Sequence, residues 1–180
     1  MRRFQIGVMG SAADLKYSKK VKSVAEEIGR LIAEQNGILV FGAEKDVDSL
    51  STAACRGAQS AGGLTIGITY GKNKDIVKQD ADIIIPTGLE RGGGREMVLV
   101  LSCDAVIAVS GGSGTLTELA IAYQADIPMI GISGVGGWSE KLAGTYLDDR
   151  QRRLTVKAGT AKEAVDAAFR EAAAYRSKYA

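Results

Sequence analysis

The stretch from Ser110 to Glu118 carries the strongest chemical signal in the chain, because its glycines are interleaved with hydroxyl groups and followed by a carboxylate. It follows an apolar run that is typical of a buried strand and leads into a helical pattern. Such a strand–turn–helix unit presents backbone N–H groups and the positive end of a helix dipole to an anion. We therefore predict a phosphate site formed by Gly111, Gly112, Ser113, Gly114 and Thr115. A tight structural turn is the alternative.

A second loop, Gly10–Ser11, follows the first predicted strand. In an open α/β sheet, ligands bind outside the carboxyl ends of the strands, where such loops lie. We predict that Gly10 and Ser11 add backbone N–H groups to the same site. An ordinary strand-to-helix turn would give the same sequence.

Two charged side chains are candidates for contact with the ligand. Glu118 lies at the mouth of the predicted site, although Thr115 to Glu118 also matches a capping box in which Thr115 is the N-cap. Arg95 begins a predicted helix, where a cation opposes the helix dipole by roughly 0.3–1 kcal/mol. We predict that Arg95 holds the ligand, with a solvated surface arginine as the alternative. Arg91, in the same loop, is a weaker candidate.

Several kinds of chemistry are excluded by what the sequence lacks. The chain has no histidine, so a Ser-His-Asp triad and a histidine-ligated metal centre are both impossible, and we predict no metal site. The glycine-rich stretch matches neither the dinucleotide fingerprint nor a Walker A loop. No lysine occurs between Lys78 and Lys141, which argues against a pyridoxal-dependent lysine decarboxylase, because that chemistry needs a Schiff-base lysine.

The length predicts one domain, 1–180, and the order of its strand and helix patterns predicts the α/β class. The formal net charge is +2, which gives no reason to expect a nucleic-acid or membrane partner. No apolar run approaches the ~20 residues of a membrane span, and the two cysteines have no metal-like spacing. We expect a cytoplasmic location with both thiols buried.

Apolar runs alternate with helical patterns along most of the chain. This order predicts a doubly wound, parallel sheet with helices on both faces, because continuous apolar strands are typical of sheets covered on both sides. We predict a loop over Gly134–Trp138 and a last edge strand over Leu154–Val156.

The central motif and its upstream arginine resemble the LOG family, whose members have often carried a lysine decarboxylase label. Its motif is Pro-Gly-Gly-x-Gly-Thr-x-x-Glu, matched here by Gly111, Gly112, Gly114, Thr115 and Glu118, with Arg95 matching the upstream arginine. The resemblance covers about residues 4 to 132. Ser110 replaces the motif proline, and Glu96 stands where the hydrolases usually carry lysine. The compact length resembles the branch that includes molybdenum cofactor carrier proteins.

This resemblance implies a Rossmann-like fold with about seven mainly parallel strands, assembled as a homodimer or homotetramer. It implies two activities: hydrolysis of the N-glycosidic bond of a nucleoside 5′-monophosphate, or binding of the molybdenum cofactor, a phosphorylated pterin, without chemistry. A hydrolase would use Glu118 and Arg95 as catalytic residues and would need no cofactor. A carrier would hold the molybdenum cofactor as cargo, with its phosphate on the same backbone. A regulatory ligand in an oligomeric interaction module is a third reading.

Overall fold

A computed structural model describes residues 2–77, 81–90, 92 and 94–179. Within them, strands and helices alternate along the chain. The strands are Gln5–Gly10 (β1), Ile38–Gly42 (β2), Leu64–Thr69 (β3), Ile83–Pro86 (β4), Ala105–Val109 (β5), Met129–Ile132 (β6) and Val156–Ala158 (β7). The helices are Lys19–Glu34 (α1), Leu50–Ser60 (α2), Arg95–Leu101 (α3), Ser113–Gln124 (α4), Gly137–Leu142 (α5) and Ala161–Tyr179 (α6).

The seven strands form one sheet in the order β4-β3-β2-β1-β5-β6-β7. Every strand pair in it is parallel. The chain moves outward from β1 in one direction through β2, β3 and β4, then returns to place β5 on the other side of β1. This reversal opens a crevice at the carboxyl ends of β1 and β5, the position at which doubly wound sheets bind ligands. The predicted α/β Rossmann-like fold is confirmed.

Helices cover both faces of the sheet, as the continuous apolar strands predict. One core contains apolar side chains of α1, α2 and α6, packed on the face that carries Ile6, Leu39 and Ile107. The other contains those of α3 and α4, packed against Val40 and Val106. Central strand β5 is buried along its whole length, so its end is a fixed platform for the loop that follows.

Two local predictions have the wrong bounds. The loop predicted over Gly134–Trp138 ends at Gly136, because α5 already begins at Gly137. The buried Ser139 hydroxyl anchors this helix, since it lies 2.7 Å from the carbonyl oxygens of Ala108 in β5 and Ile132 in β6 and can donate to either one. The predicted edge strand is displaced along the chain to Val156–Ala158. Leu154 instead makes an isolated antiparallel bridge to Tyr146.

Helices α1 and α2 touch backbone to backbone at two glycines. A Cβ added at Gly29 would lie 1.8 Å from the Ala54 carbonyl oxygen, and one added at Gly57 would lie 1.8 Å from the Glu26 carbonyl oxygen. Neither carbonyl can move without moving its helix. This contact therefore sets the position of α2, whose first turn faces the crevice.

Replacing Gly57 by alanine is expected to lower the free energy of unfolding by at least about 2 kcal/mol, because the added methyl must separate two packed helices. Gly114→Ala is the matched control, since a Cβ at this helical glycine meets nothing within 4 Å and alanine favours a helix by up to about 1 kcal/mol. Urea unfolding of both variants measures the difference. Equal stabilities would contradict the helix contact.

Candidate functional site

Ser11 joins the two loops that border the crevice. Gly10 and Val109 are neighbours in the β1–β5 register, so the chain leaves both strands at the same point. The Ser11 hydroxyl accepts the Gly111 N–H at 2.9 Å and donates to the Ser110 hydroxyl at 3.1 Å. Its carbonyl accepts the first N–H of α2, that of Leu50, at 2.9 Å. One buried serine thus fixes the loop after β5 and the start of α2.

The loop after β5 has a left-handed backbone at two consecutive residues. Ser110 has φ of 58° and Gly111 has φ of 100°. The Ser110 and Gly111 carbonyls accept N–H groups from the first residues of α5, at 2.9 and 3.0 Å, which holds this shape. Proline is fixed near a φ of −65° and cannot adopt the Ser110 conformation. The serine that replaces the motif proline therefore gives this chain a different loop backbone.

Helix α4 begins beside this loop with three unpaired N–H groups. Its N-cap is Gly112, which makes no side-chain cap hydrogen bond. Leu116 is the first residue of the helix whose N–H finds a partner in the backbone, the Gly112 carbonyl, so the amides of Ser113, Gly114 and Thr115 have no partner among the described residues. Gly114 has open space where a side chain would project. These features are typical of an anion site at a helix N-terminus.

The alternative role for Glu118, as a capping residue, is wrong. Because α4 starts at Ser113, Thr115 is already inside the helix and Glu118 lies in its second turn. Glu118 is only 8% exposed, and its carboxyl group makes no hydrogen bond or ion pair with any described residue. It is free to contact a ligand.

Arg95 occupies a slot between two loops rather than the surface. It is 4% exposed, and its guanidinium carbon lies 4.1 Å from the centre of the Tyr70 ring. On the other side Nη1 lies so close to Gly42 that a Cβ there would be 1.9 Å from it. Nη2 donates to Glu44 at 3.2 Å and to the Tyr70 hydroxyl. The alternative of a solvated arginine is wrong.

Three glutamates surround this guanidinium. Glu44 forms an ion pair with Arg95. The Glu96 carboxylate lies 3.7 Å from Nη2 of Arg95 and accepts a hydrogen bond from the Tyr70 hydroxyl at 3.0 Å. Burial raises the pKa of Glu118 to about 8; the positive charge of Arg95 lowers that pKa, and the charges of Glu96 and Glu44 raise it further. Glu118 consequently holds a proton at neutral pH, which reduces the net negative charge of the cluster.

Arg95 also has unused hydrogen-bonding capacity. Its Nε and Nη1 groups are buried and find no partner in the described part of the chain. An unmade hydrogen bond to a buried polar group costs about 1–3 kcal/mol. A ligand acceptor, or an ionised Glu118, would relieve that cost after a small movement of either side chain.

The cavity between these groups has a volume of about 370 Å³. One end is formed by the loops after β1 and β5 and the start of α4, and is rich in N–H groups. We call it the amide end. The other is formed by Glu44, Tyr70, Arg95, Glu96 and Glu118, and we call it the carboxylate end. Leu15, which is 55% exposed, contributes apolar surface.

All of the predicted site residues except Gly111 line the cavity. Gly111 lies beneath the site, where a Cβ would collide with the Thr115 side chain at 2.4 Å, so it shapes the loop. Arg91 lies outside the described residues. No group of three or more potential metal-binding side chains occurs in the described ranges.

Sequence reasoning missed Glu44, Tyr70 and Ser51, which also line the cavity. Of these three residues, only Glu44 could have been recognised from the sequence. It closely follows β2 at the carboxyl edge of the sheet, where Rossmann folds carry an acidic residue that binds ribose. Tyr70 lies in a segment whose polarity predicted only a loop. Ser51 lies in an otherwise ordinary helical pattern.

The model of the SLOG cluster4 family matches residues 3–168. The chain belongs to that family. The match extends beyond the glycine motif to all seven strands of the sheet and part of α6, and it confirms the LOG-type resemblance of the sequence.

Three relatives show how far the similarity extends. An uncharacterized protein of Archaeoglobus fulgidus is 38% identical over 124 residues, which are 69% of this chain and 76% of that protein. The molybdenum cofactor binding protein of Rippkaea orientalis is 32% identical with a TM-score of 0.77, covering 92% of this chain and 95% of that one. The molybdenum cofactor carrier protein of Chlamydomonas reinhardtii is 30% identical with a TM-score of 0.74, covering 96% and 99%.

Among the described residues, no helix is both long and apolar enough to cross a bilayer.

Ser110→Pro is expected to lower the free energy of unfolding by about 3 kcal/mol or more, because the ring cannot adopt a positive φ. Ser110→Gly is the control, and it should change stability by less than about 1 kcal/mol, since glycine adopts this conformation without strain. Thermal and urea unfolding test both. A Ser110→Pro variant as stable as the original protein would contradict the left-handed backbone conformation of Ser110.

The stability of the protein is expected to fall as pH rises from about 5 to about 8, and Glu118 is the main cause. Its pKa is raised in the folded state to about 8, so the folded chain keeps a proton that the unfolded chain releases above its ordinary pKa of about 4.3. The contribution is roughly 1 kcal/mol per pH unit.

Glu118→Gln removes this titration and should flatten the pH dependence of the free energy of unfolding, measured with urea at pH 5 and pH 8. Glu27→Gln, at an exposed position on α1, is the control and should retain the slope. If both variants keep the pH dependence of the original protein, Glu118 is not its cause.

Proposed function

We propose that the protein binds a phosphorylated pterin of the molybdenum cofactor type and carries it without cleaving it. The observation that carries this proposal is the polarity of the cavity. Unpaired backbone N–H groups line one end, and carboxyl groups around a single arginine line the other. A ligand that matches both ends has an anionic group at one end and a head group rich in hydrogen-bond donors at the other.

The amide end fits the phosphate. The three free N–H groups of Ser113, Gly114 and Thr115 converge at the positive end of the α4 dipole. Gly114 leaves the approach to these amides open. The Arg95 guanidinium takes no part at this end, because Glu44 and Tyr70 hold it in the carboxylate end.

The carboxylate end fits the pterin ring. A pterin carries a ring N–H and an exocyclic amino group side by side, and guanine carries the same edge. Carboxylate oxygens are strong acceptors for such groups. Glu44 and Glu96 supply such oxygens, and the protonated Glu118, which faces the cavity without a protein partner, adds a carbonyl acceptor and an O–H donor. Adenine offers fewer donors and matches this end less well.

The comparisons support the same choice of ligand. The Rippkaea orientalis and Chlamydomonas reinhardtii proteins, described as a cofactor binding and a cofactor carrier protein, are similar over nearly their whole length. The cofactor is therefore proposed as cargo. Exposed apolar side chains of α3, Met97 and Leu101, support assembly as a homodimer or homotetramer.

Hydrolysis of a nucleoside 5′-monophosphate is the second candidate function, and one observation favours it. A glutamic acid that holds a proton to about pH 8 can act as a general acid toward a departing base. Glu118 would then be the catalytic acid, and Arg95 would orient the sugar or the leaving base through its unpaired Nε and Nη1 groups.

The test is cofactor loading. Molybdenum cofactor released from a purified molybdoenzyme is mixed with the protein, the mixture is sized by gel filtration with light scattering, and bound pterin is oxidised and measured by fluorescence. We expect nearly one pterin per chain, on a dimer or tetramer. Gly114→Ala should reduce loading at least tenfold, because its methyl blocks the free amides, whereas Ser177→Ala on α6 should not.

The same preparation is incubated with GMP, AMP, CMP and IMP and analysed for free base. Carriage predicts no release of base. Release that disappears in Glu118→Gln would establish hydrolysis instead. Absence of both pterin binding and base release would contradict both functions.

A further inference from the structure

The start of α2 lies next to the phosphate position at the start of α4. Ser11 contacts both: its carbonyl accepts the Leu50 N–H, and its hydroxyl accepts the Gly111 N–H. Gly10 brings α2 this close, since a Cβ there would lie 2.8 Å from the Leu50 side chain. Two helix N-termini therefore face one cavity.

One backbone donor in the first turn of α2 is unused. The Leu50 N–H is taken by Ser11, the Thr52 N–H by the Ser49 hydroxyl at 3.0 Å, and the Ala53 N–H by the Ser49 carbonyl. The Ser51 N–H has no partner among the residues that the structure describes. It lies at the positive end of an eleven-residue helix, where an anion is stabilised.

The Ser51 side chain supplies an independent observation. Ser51 is 5% exposed and forms part of the cavity wall, yet its hydroxyl makes no hydrogen bond within the described part of the chain. The neighbouring Ser49 and Thr52 hydroxyls, by contrast, bond each other at 2.9 Å. Ser51 is therefore a mostly buried side chain whose hydroxyl has no protein partner and is available to a ligand atom in the cavity.

Of the carboxylates near this position, Asp14 lines the cavity and would oppose an anion, whereas the charge of Asp48 is offset by cations. Asp48 precedes the helix, but its carboxylate pairs with Arg56 at 3.0 Å and Lys22 at 3.6 Å. These ion pairs and the Ser49 N–H hold the pKa of Asp48 below its usual range against the opposing effect of burial.

We propose that Ser51 and the start of α2 form a second phosphate position, and that the natural ligand carries a diphosphate rather than a monophosphate. The inference rests on the proposed function, because it extends the phosphate site at α4 by one group. The first phosphate contacts the amides of Ser113, Gly114 and Thr115, and the next accepts the Ser51 N–H and hydroxyl. Pterins linked through a diphosphate to a nucleoside belong to this class.

The experiment measures binding of GMP and GDP to the whole protein by isothermal titration calorimetry, without divalent metal ions. GDP should bind at least tenfold more tightly than GMP. Ser51→Ala should reduce GDP affinity at least fivefold and leave GMP affinity unchanged. Ser60→Ala, at the far end of α2, is the matched control and should change neither. Melting temperatures of both variants confirm that the fold is retained.

Equal affinities for GMP and GDP, or an equal loss of both in Ser51→Ala, would overturn the second phosphate position and leave the proposed function standing. Failure of both nucleotides to bind would overturn the proposed phosphate site and this inference with it.

Discussion

The hydrogen bonds of Ser11 are the constraint on which the rest of the site depends. Parallel strands that leave a sheet at a switch point diverge, and their loops can adopt many positions. Here one buried serine contacts the loop after β5 through its hydroxyl and the start of α2 through its carbonyl. The free amides of α4 and the free Ser51 N–H are thereby held on the same cavity.

Charge separation along the cavity follows from where Arg95 lies. A lone arginine beside a glycine-rich loop would be expected to bind the phosphate directly. Instead, the guanidinium lies between the Tyr70 ring and the backbone of Gly42, where the absence of a side chain leaves room for it, and three glutamates surround it. The carboxylates balance that positive charge, and the proton on Glu118 limits the remaining negative charge. Phosphate recognition is left to backbone dipoles, which leaves the carboxylate end free for a donor-rich ring.

The sequence predicted the elements that depend on local patterns. The strand–glycine–helix unit at Ser110 to Glu118 was predictable because spacing and residue type alone determine it, and the parallel sheet followed from the alternation of apolar runs with helical patterns. The burial of Arg95 was not predictable, because it depends on Gly42, which is far away in sequence. The positive φ of Ser110 was not predictable either, because serine rarely adopts it and the hydrogen bonds that hold it come from the start of α5, which is far along the chain. Ser51 resembled any other helical serine until the cavity was known.

The central claim is that backbone amides of α4, rather than the Arg95 guanidinium, bind the phosphate. A crystal structure of the protein with GMP tests it most directly. The account predicts phosphate oxygens within about 3 Å of the N–H groups of Ser113, Gly114 and Thr115, with the guanine edge toward Glu118. A phosphate bound to Arg95, or bound outside the cavity, would contradict it.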